Sequence, residues 1–141
     1  MERILIADDE ESIRFVLSKT MEKKGYSVEL AEDGIQALEK IKSGRYSLIF
    51  MDIMMPGESG LDILTKVTDT PVIIMTAQDT MKNAVEAMKR GAYDYITKPF
   101  DIEEVNLLAA RAINAWKLSK EVAELKKEIK GKYAVGGEII G

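Results

Sequence analysis

Short apolar runs alternate along the chain with segments whose apolar positions recur every three or four residues. Ile4-Leu5-Ile6-Ala7 reads as a buried strand that stops at Asp8-Asp9. Ile13, Val16, Leu17, Thr20 and Met21 then fall at helical spacing, and Gly25 supplies a C-terminal stop. Val28-Glu29-Leu30-Ala31 is a second strand, followed by turn chemistry at Glu32-Asp33-Gly34 and a helix over 35–43 with Ile35, Leu38 and Ile41 on one face, ending at Gly44. Leu48-Ile49-Phe50-Met51 is apolar enough for a strand covered on both faces. A weaker helix over 59–66 opens with Ser59-x-x-Asp62, the spacing of a capping box. Pro71 to Met75 is a fourth strand, with proline tolerable at its first position. Met81, Ala84, Val85 and Met88 stripe a helix that stops at Gly91, and this stripe reads as core. Tyr93 to Ile96 is a short fifth strand, and Asp101-x-x-Glu104 opens the last helix.

Five strand–helix alternations predict an α/β fold, a parallel sheet with helices on both faces. In such folds chemistry collects outside the carboxyl ends of the strands. There the pattern places Asp8-Asp9 after the first strand, Asp52 after the third, Thr76 after the fourth and Lys98 after the fifth. Singly, each has a bland reading as a cap, a turn residue or a solvated charge. Their coincidence at four strand ends is what argues for a site.

Composition narrows what that site can be. The 141 residues are 46% apolar and 31% charged, the balance of a globular domain. A net charge of −4 gives no electrostatic case for nucleic acid or an anionic membrane as direct partner. With neither cysteine nor histidine, disulfides, thiolate chemistry, histidine metal sites and an internal phosphohistidine are excluded. The start of the chain reads as neither signal peptide nor membrane span, so the expected compartment is the cytoplasm.

Three converging carboxylates, Asp8, Asp9 and Asp52, repel one another unless a cation compensates. Oxygen-only ligands suit a hard divalent ion such as Mg²⁺, which also takes phosphate oxygens. Lys98 adds a fixed positive charge, and Thr76 a hydroxyl that can donate to a phosphoryl oxygen. Together they form an electrostatic clamp on a transferring phosphoryl group, with Asp52 as the carboxylate nucleophile.

The set Asp8-Asp9, Asp52 with Met55-Pro56-x-x-x-Gly60, Thr76-Ala77 and Lys98-Pro99-Phe100 resembles the receiver domains of two-component response regulators, over roughly residues 2–118. The resemblance implies a flavodoxin-like (βα)5 doubly wound sheet with the last helix extended into a linker. It implies that Asp52 takes a phosphoryl group from a sensor histidine kinase. It further implies that Asp8, Asp9, Asp52 and the Met54 backbone carbonyl hold Mg²⁺, and that Lys98, Thr76 and the Ala77 backbone hold the phosphoryl oxygens. The Lys98–Pro99 bond is expected to be cis. Thr76 and Tyr95 are the implied switch, which reshapes the surface of the fourth helix, fifth strand and fifth helix. Met54 and Gln78 occupy the positions that tune dephosphorylation in the family. Neither is a carboxylate, so a long-lived phosphoaspartate is expected, and the chain is no conventional enzyme beyond its own phosphoryl transfer and slow autodephosphorylation.

The last helix pattern runs past the expected receiver, residues 1–117. Leu118, Val122, Leu125 and Ile129 continue it as a heptad seam over 118–130, with β-branched residues at a and leucine at d, which favours a parallel two-stranded coil. Glu121 at g would face Lys126 at e of a partner. The other reading is one amphipathic helix folding back on its own domain. Residues 131–141 read as flexible linker, and the closing Glu-Ile-Ile-Gly is similar to the opening of the ATPase domain in sigma-54-dependent activators of the nitrogen-regulator type. Gly91-Ala92-Tyr93-Asp94-Tyr95 is also similar to that subfamily. The expected whole is thus a homodimeric regulator truncated before its ATPase domain and a DNA-binding domain. The alternative is a stand-alone receiver that docks onto a partner. An aspartate-nucleophile phosphatase would need an acid where Met54 stands. A flavodoxin-like cofactor binder would need a phosphate-cradling loop after the first strand, which is absent.

Overall fold

The computed structural model describes residues 2–77 and 81–136, with the side chains of Met81 and of residues 129–136 left aside. In chain order the elements are β1 (Arg3–Ala7), α1 (Glu11–Lys23), β2 (Ser27–Ala31), α2 (Gly34–Ser43), β3 (Leu48–Asp52), α3 (Gly60–Leu64), β4 (Val72–Ala77), α4 (Met81–Lys89), β5 (Asp94–Lys98) and α5 (Ile102–Gly136). All four strand pairings are parallel, in the order β2-β1-β3-β4-β5, so the doubly wound (βα)5 expectation holds.

Consecutive residues of the central strands face opposite sides, which is why their sequences are apolar without alternation. Leu5, Ala7, Ile49, Met51 and Ile74 pack with Ala37, Ile63, Leu64 and Ala87 under α2, α3 and α4. Ile4, Ile6, Leu48, Phe50, Ile73 and Met75 pack with Leu17 and Met21 of α1 and with Val105, Leu108 and Ala112 of α5. Full burial of each large side chain contributes about 1.5–3 kcal/mol. The caps follow their local chemistry. Asp33 accepts from the Gln36 backbone N–H at 2.8 Å, and Asp101 from that of Glu103 at 2.9 Å.

Four local readings change. The Ser59 hydroxyl caps Leu61, but Asp62 pairs with Arg90, in the turn after α4, at 3.3 Å instead of completing a capping box. In α4 the buried stripe is Ala84 and Ala87, while Val85 and Met88 stand 52% and 42% exposed. Two alanines bring this helix close to the sheet and leave its larger side chains outside. β5 lies at Asp94–Lys98, so Lys98 is its last residue. Finally, α5 continues to Gly136, past Gly131 where a linker was expected. One glycine costs a helix only about 1 kcal/mol relative to alanine, and Lys132 to Val135 carry no breaker.

α5 leaves the core after Ile113 and passes the amino end of the sheet, where Lys117 pairs with Glu2 at 3.0 Å. Beyond it Leu118, Val122 and Leu125 are about half exposed, on a stretch with no sheet beneath it. Ile129, the fourth seam position, has a side chain outside the described residues, as do Gln78 and the closing Glu-Ile-Ile-Gly. No described helix is long and apolar enough to cross a membrane.

Candidate functional site

The order 2-1-3-4-5 reverses direction between β1 and β3, and a crevice opens at the carboxyl end of such a pair. Ala7 pairs with Met51, so the next residues, Asp8 and Asp52, emerge side by side. Asp52 pairs with Met75, which puts Thr76 one step beyond it on β4, and Ala77 pairs with Lys98 on β5. Register alone thus gathers residues scattered over ninety positions of sequence at one edge.

The side chains converge accordingly. The Lys98 ammonium lies 2.7 Å from Asp8 Oδ2, 3.3 Å from Asp52 Oδ2 and 3.6 Å from Glu10 Oε1. Asp8 is wholly buried and Asp52 nearly so. Asp52 Oδ1 accepts from the Met54 backbone N–H at 3.3 Å. Asp8 Oδ1 accepts from that of Glu10 at 2.9 Å. Thr76 is buried, its hydroxyl 3.4 Å from the Ala77 carbonyl oxygen. Tyr95 is half-buried on the face covered by α2 to α4, and Met54 stands 71% exposed at the rim. The Lys98–Pro99 bond is cis.

One ammonium does not neutralise this group of acids. Burial pushes Asp8 above the usual carboxylate range against the pull of Lys98. Burial, and then the charge of Asp8, push Asp52 up to about 6. For Lys98 burial acts downward, but its bond to Asp8 and the charges of Asp52 and Asp8 outweigh it, and the net direction is up. Asp8 Oδ2 is fully buried and meets only the Lys98 ammonium, with no well-aligned hydrogen bond, so a lone pair is left for a metal ion. Carboxylate oxygens of Asp8, Asp9 and Glu10 lie within 4.8 Å of one another, so the donor set fits a hard divalent cation.

Glu10 and Arg14 were not singled out in the sequence. Glu10 is the N-cap of α1 but makes no side-chain cap bond, which leaves its carboxylate to face Lys98. Its position directly after Asp8-Asp9 was the available signal. Arg14, one turn later, donates from Nη1 to the Asp8 carbonyl at 2.8 Å and lies 3.8 Å from Glu32. It ties the β1–α1 turn to the β2–α2 turn. The backbone also fits closely here. A Cβ at Gly60 would collide with the backbone of Asp52 and Ile53, and Gly57 turns the loop at φ +85°.

Comparisons with known proteins agree with this geometry. Residues 4–110 match the family model of the response regulator receiver domain. Over 106 residues the chain is 44% identical to the transcriptional regulatory protein YkoG of Bacillus subtilis, a span of 72% of this chain and 46% of that one. The regulatory protein AtoC of Escherichia coli is 37% identical over 138 residues, covering 95% of this chain and 30% of AtoC. A crystal structure of NtrX from Brucella abortus superposes with a TM-score of 0.81 at 34% identity, over 88% of this chain and 29% of that one. The chain therefore spans less than half the length of these relatives.

Proposed function

The chain belongs to the response regulator receiver domain family, and from that premise we propose that Asp52 is the phosphoacceptor in a transfer from a phosphohistidine on a sensor histidine kinase. The observation that carries the proposal is the Lys98 ammonium shared between Asp8 and Asp52 at the carboxyl edge of the sheet. An Asp52 carboxylate oxygen attacks phosphorus, the P–N bond breaks, and its electron pair leaves on the imidazole nitrogen. Lys98, the Thr76 hydroxyl and the Ala77 backbone N–H receive the phosphoryl oxygens. Asp8, Asp9, Asp52 and the Met54 carbonyl would hold Mg²⁺, with Glu10 beside them. When bound, that ion offsets the acidic charge and the charge of the phosphoryl oxygens. The exposed Met54 offers no base for hydrolysis, so the phosphoaspartate is long-lived and autodephosphorylation slow.

The output is a population shift. Thr76 closes on the phosphoryl group, Tyr95 follows, and the surface of α4, β5 and α5 changes. Val85, Met88 and Leu107, all exposed there, supply apolar contact area. Downstream, Leu118, Val122, Leu125 and Ile129 form the seam of a homodimer. The dimer controls the ATPase domain of a cytoplasmic sigma-54-dependent transcriptional activator, which reaches DNA only through a separate domain. Two findings support that wider reading: the continuity of α5 through the seam, and an AtoC match that extends well beyond residue 110. The same exposed α4 side chains also favour the alternative, a stand-alone receiver that docks on a partner.

The test treats the protein with a small acyl-phosphate donor and Mg²⁺. Intact mass should rise by one phosphoryl group, and Asp52→Asn should show no gain. Retention of the phosphoryl group by the variant would overturn the assignment. Scattering on the same samples separates the dimer from the stand-alone reading.

A further inference from the structure

At the opposite edge of the sheet lies a groove of about 850 Å³. One wall is the loops that precede β3 and β4, and the other is the outer part of α5, from Ala115 to Lys127. Its charge runs against that of the chain. Lys42, Arg45, Lys66, Lys120 and Lys127 line it, opposed by the carboxylates of Asp69 and Glu124. Only Lys66 of these cations has a carboxylate partner, Glu58 at 3.5 Å, within ion-pair distance among the described residues. A smaller recess adjoins, sharing Arg45, Trp116 and Lys120 and adding Glu2 and Arg3, the latter paired with Glu29. In a molecule of net charge −4, Lys42, Arg45, Lys120 and Lys127, with no carboxylate partner among the described residues, focus a positive field around one concavity.

The groove also has aromatic walls. Trp116 stands on the α5 side, with the Lys120 ammonium 5.0 Å from its ring, and the part-buried Tyr93 stands on the loop side with the buried Tyr46. A volume within the usual range of small-ligand sites, flat ring surfaces and converging ammonium and guanidinium groups together define one chemistry. We propose that this groove binds a small phosphate-bearing anion that carries a planar ring, the chemistry of a nucleotide. Its phosphates lie among Arg45, Lys120 and Lys127, and its ring against the aromatic walls. The site is separate from the acidic crevice by the length of the strands, about 17 Å for five residues, and does not depend on the phosphorylation reading.

Trp116 is the only tryptophan in the chain and so reports on the groove directly. Its fluorescence, excited at the red edge of its absorption, is followed while a nucleoside diphosphate is added without divalent ions, so that the acidic crevice stays repulsive to anions. Parallel titrations use inorganic pyrophosphate and the free nucleoside, and calorimetry checks each affinity. Saturable quenching is expected, with the nucleotide at least tenfold tighter than either fragment. Arg45→Glu and Lys120→Glu each weaken it by tenfold or more, while Lys19→Ala on α1 leaves it unchanged. Unfolding midpoints of the variants matched to wild type exclude a folding defect, and Lys42→Ala gives a milder second variant. Three results overturn the proposal: no saturable nucleotide binding, equal binding in the charge-reversed variants, or capture of an acidic peptide where the nucleotide fails.

Discussion

The two edges of this sheet carry charge in opposite ways. At the carboxyl edge Asp8 and Asp52 are buried and close together, held by strand register to within 2.7 and 3.3 Å of one ammonium. At the amino edge they are exposed, of the other sign, and mounted on loops and a helix that has left its core. Buried charge is expensive unless paired, so the carboxyl edge costs stability and persists only where chemistry needs it. Exposed charge costs little to maintain and is free to meet a ligand from solvent. The first arrangement suits the making of bonds; the second suits recognition.

The largest expected break in that contrast is Lys98→Met. It removes the cation paired with two buried carboxylates, so phosphoryl incorporation should fall about 100-fold or more. The metal-free protein should lose about 3 kcal/mol in denaturant titration. Unchanged stability would show that the carboxylates are better solvated than their burial indicates. Next comes Gly60→Val, whose side chain has no room against the Asp52 backbone. A loss of about 2 kcal/mol is expected in thermal unfolding, with slower acyl-phosphate labelling because the acceptor shifts.

Asp52→Asn sharpens the comparison by sign. The folded-state pKa of Asp52 is raised to about 6 from 3.8. The native state therefore holds this proton more tightly than the unfolded chain, and wild type loses stability as pH rises from 3.8 through 6. Without metal, the variant should be more stable at neutral pH by about 1–2 kcal/mol after solvent screening. The gain should fade as pH falls through 6. Added Mg²⁺ should favour wild type instead. A pH-independent difference would place the repulsion elsewhere. The smallest effect on the folded domain is expected for Leu125→Asp, whose side chain is 56% exposed. Its unfolding midpoint at low concentration should stay within about 0.5 kcal/mol of wild type, while self-association measured by sedimentation weakens. A large loss in the monomer would instead mean that the helix folds back onto its own domain.

How much of this was legible depended on whether a residue broke a pattern. Asp8 and Asp52 interrupt apolar runs, so their strand ends announced themselves, and parallel connectivity did the rest. Glu10 and Arg14 sit in the first turn of a helix, where a charge is unremarkable. Only the register of β1 beside β3 and the turn geometry reveal what they face. Val85 and Met88 misled because hydrophobic spacing says which residues share a stripe but not that small alanines are the ones a close-packed helix buries. The groove was illegible altogether, since its cations come from two loops and two helices far apart in sequence. The linker expected at Gly131 failed because a single glycine weighs less than the helix formers around it.

α5 is one uninterrupted rod of 35 residues, capped by Asp101 three positions after Lys98. At 1.5 Å per residue it is about 50 Å long, with roughly 27 Å projecting past residue 118. A tilt of about 5° at its seated half therefore sweeps the free tip sideways by about 2 Å over that reach. The domain thus needs no large rearrangement of its own to reposition whatever is fastened to its far end: leverage does the amplifying.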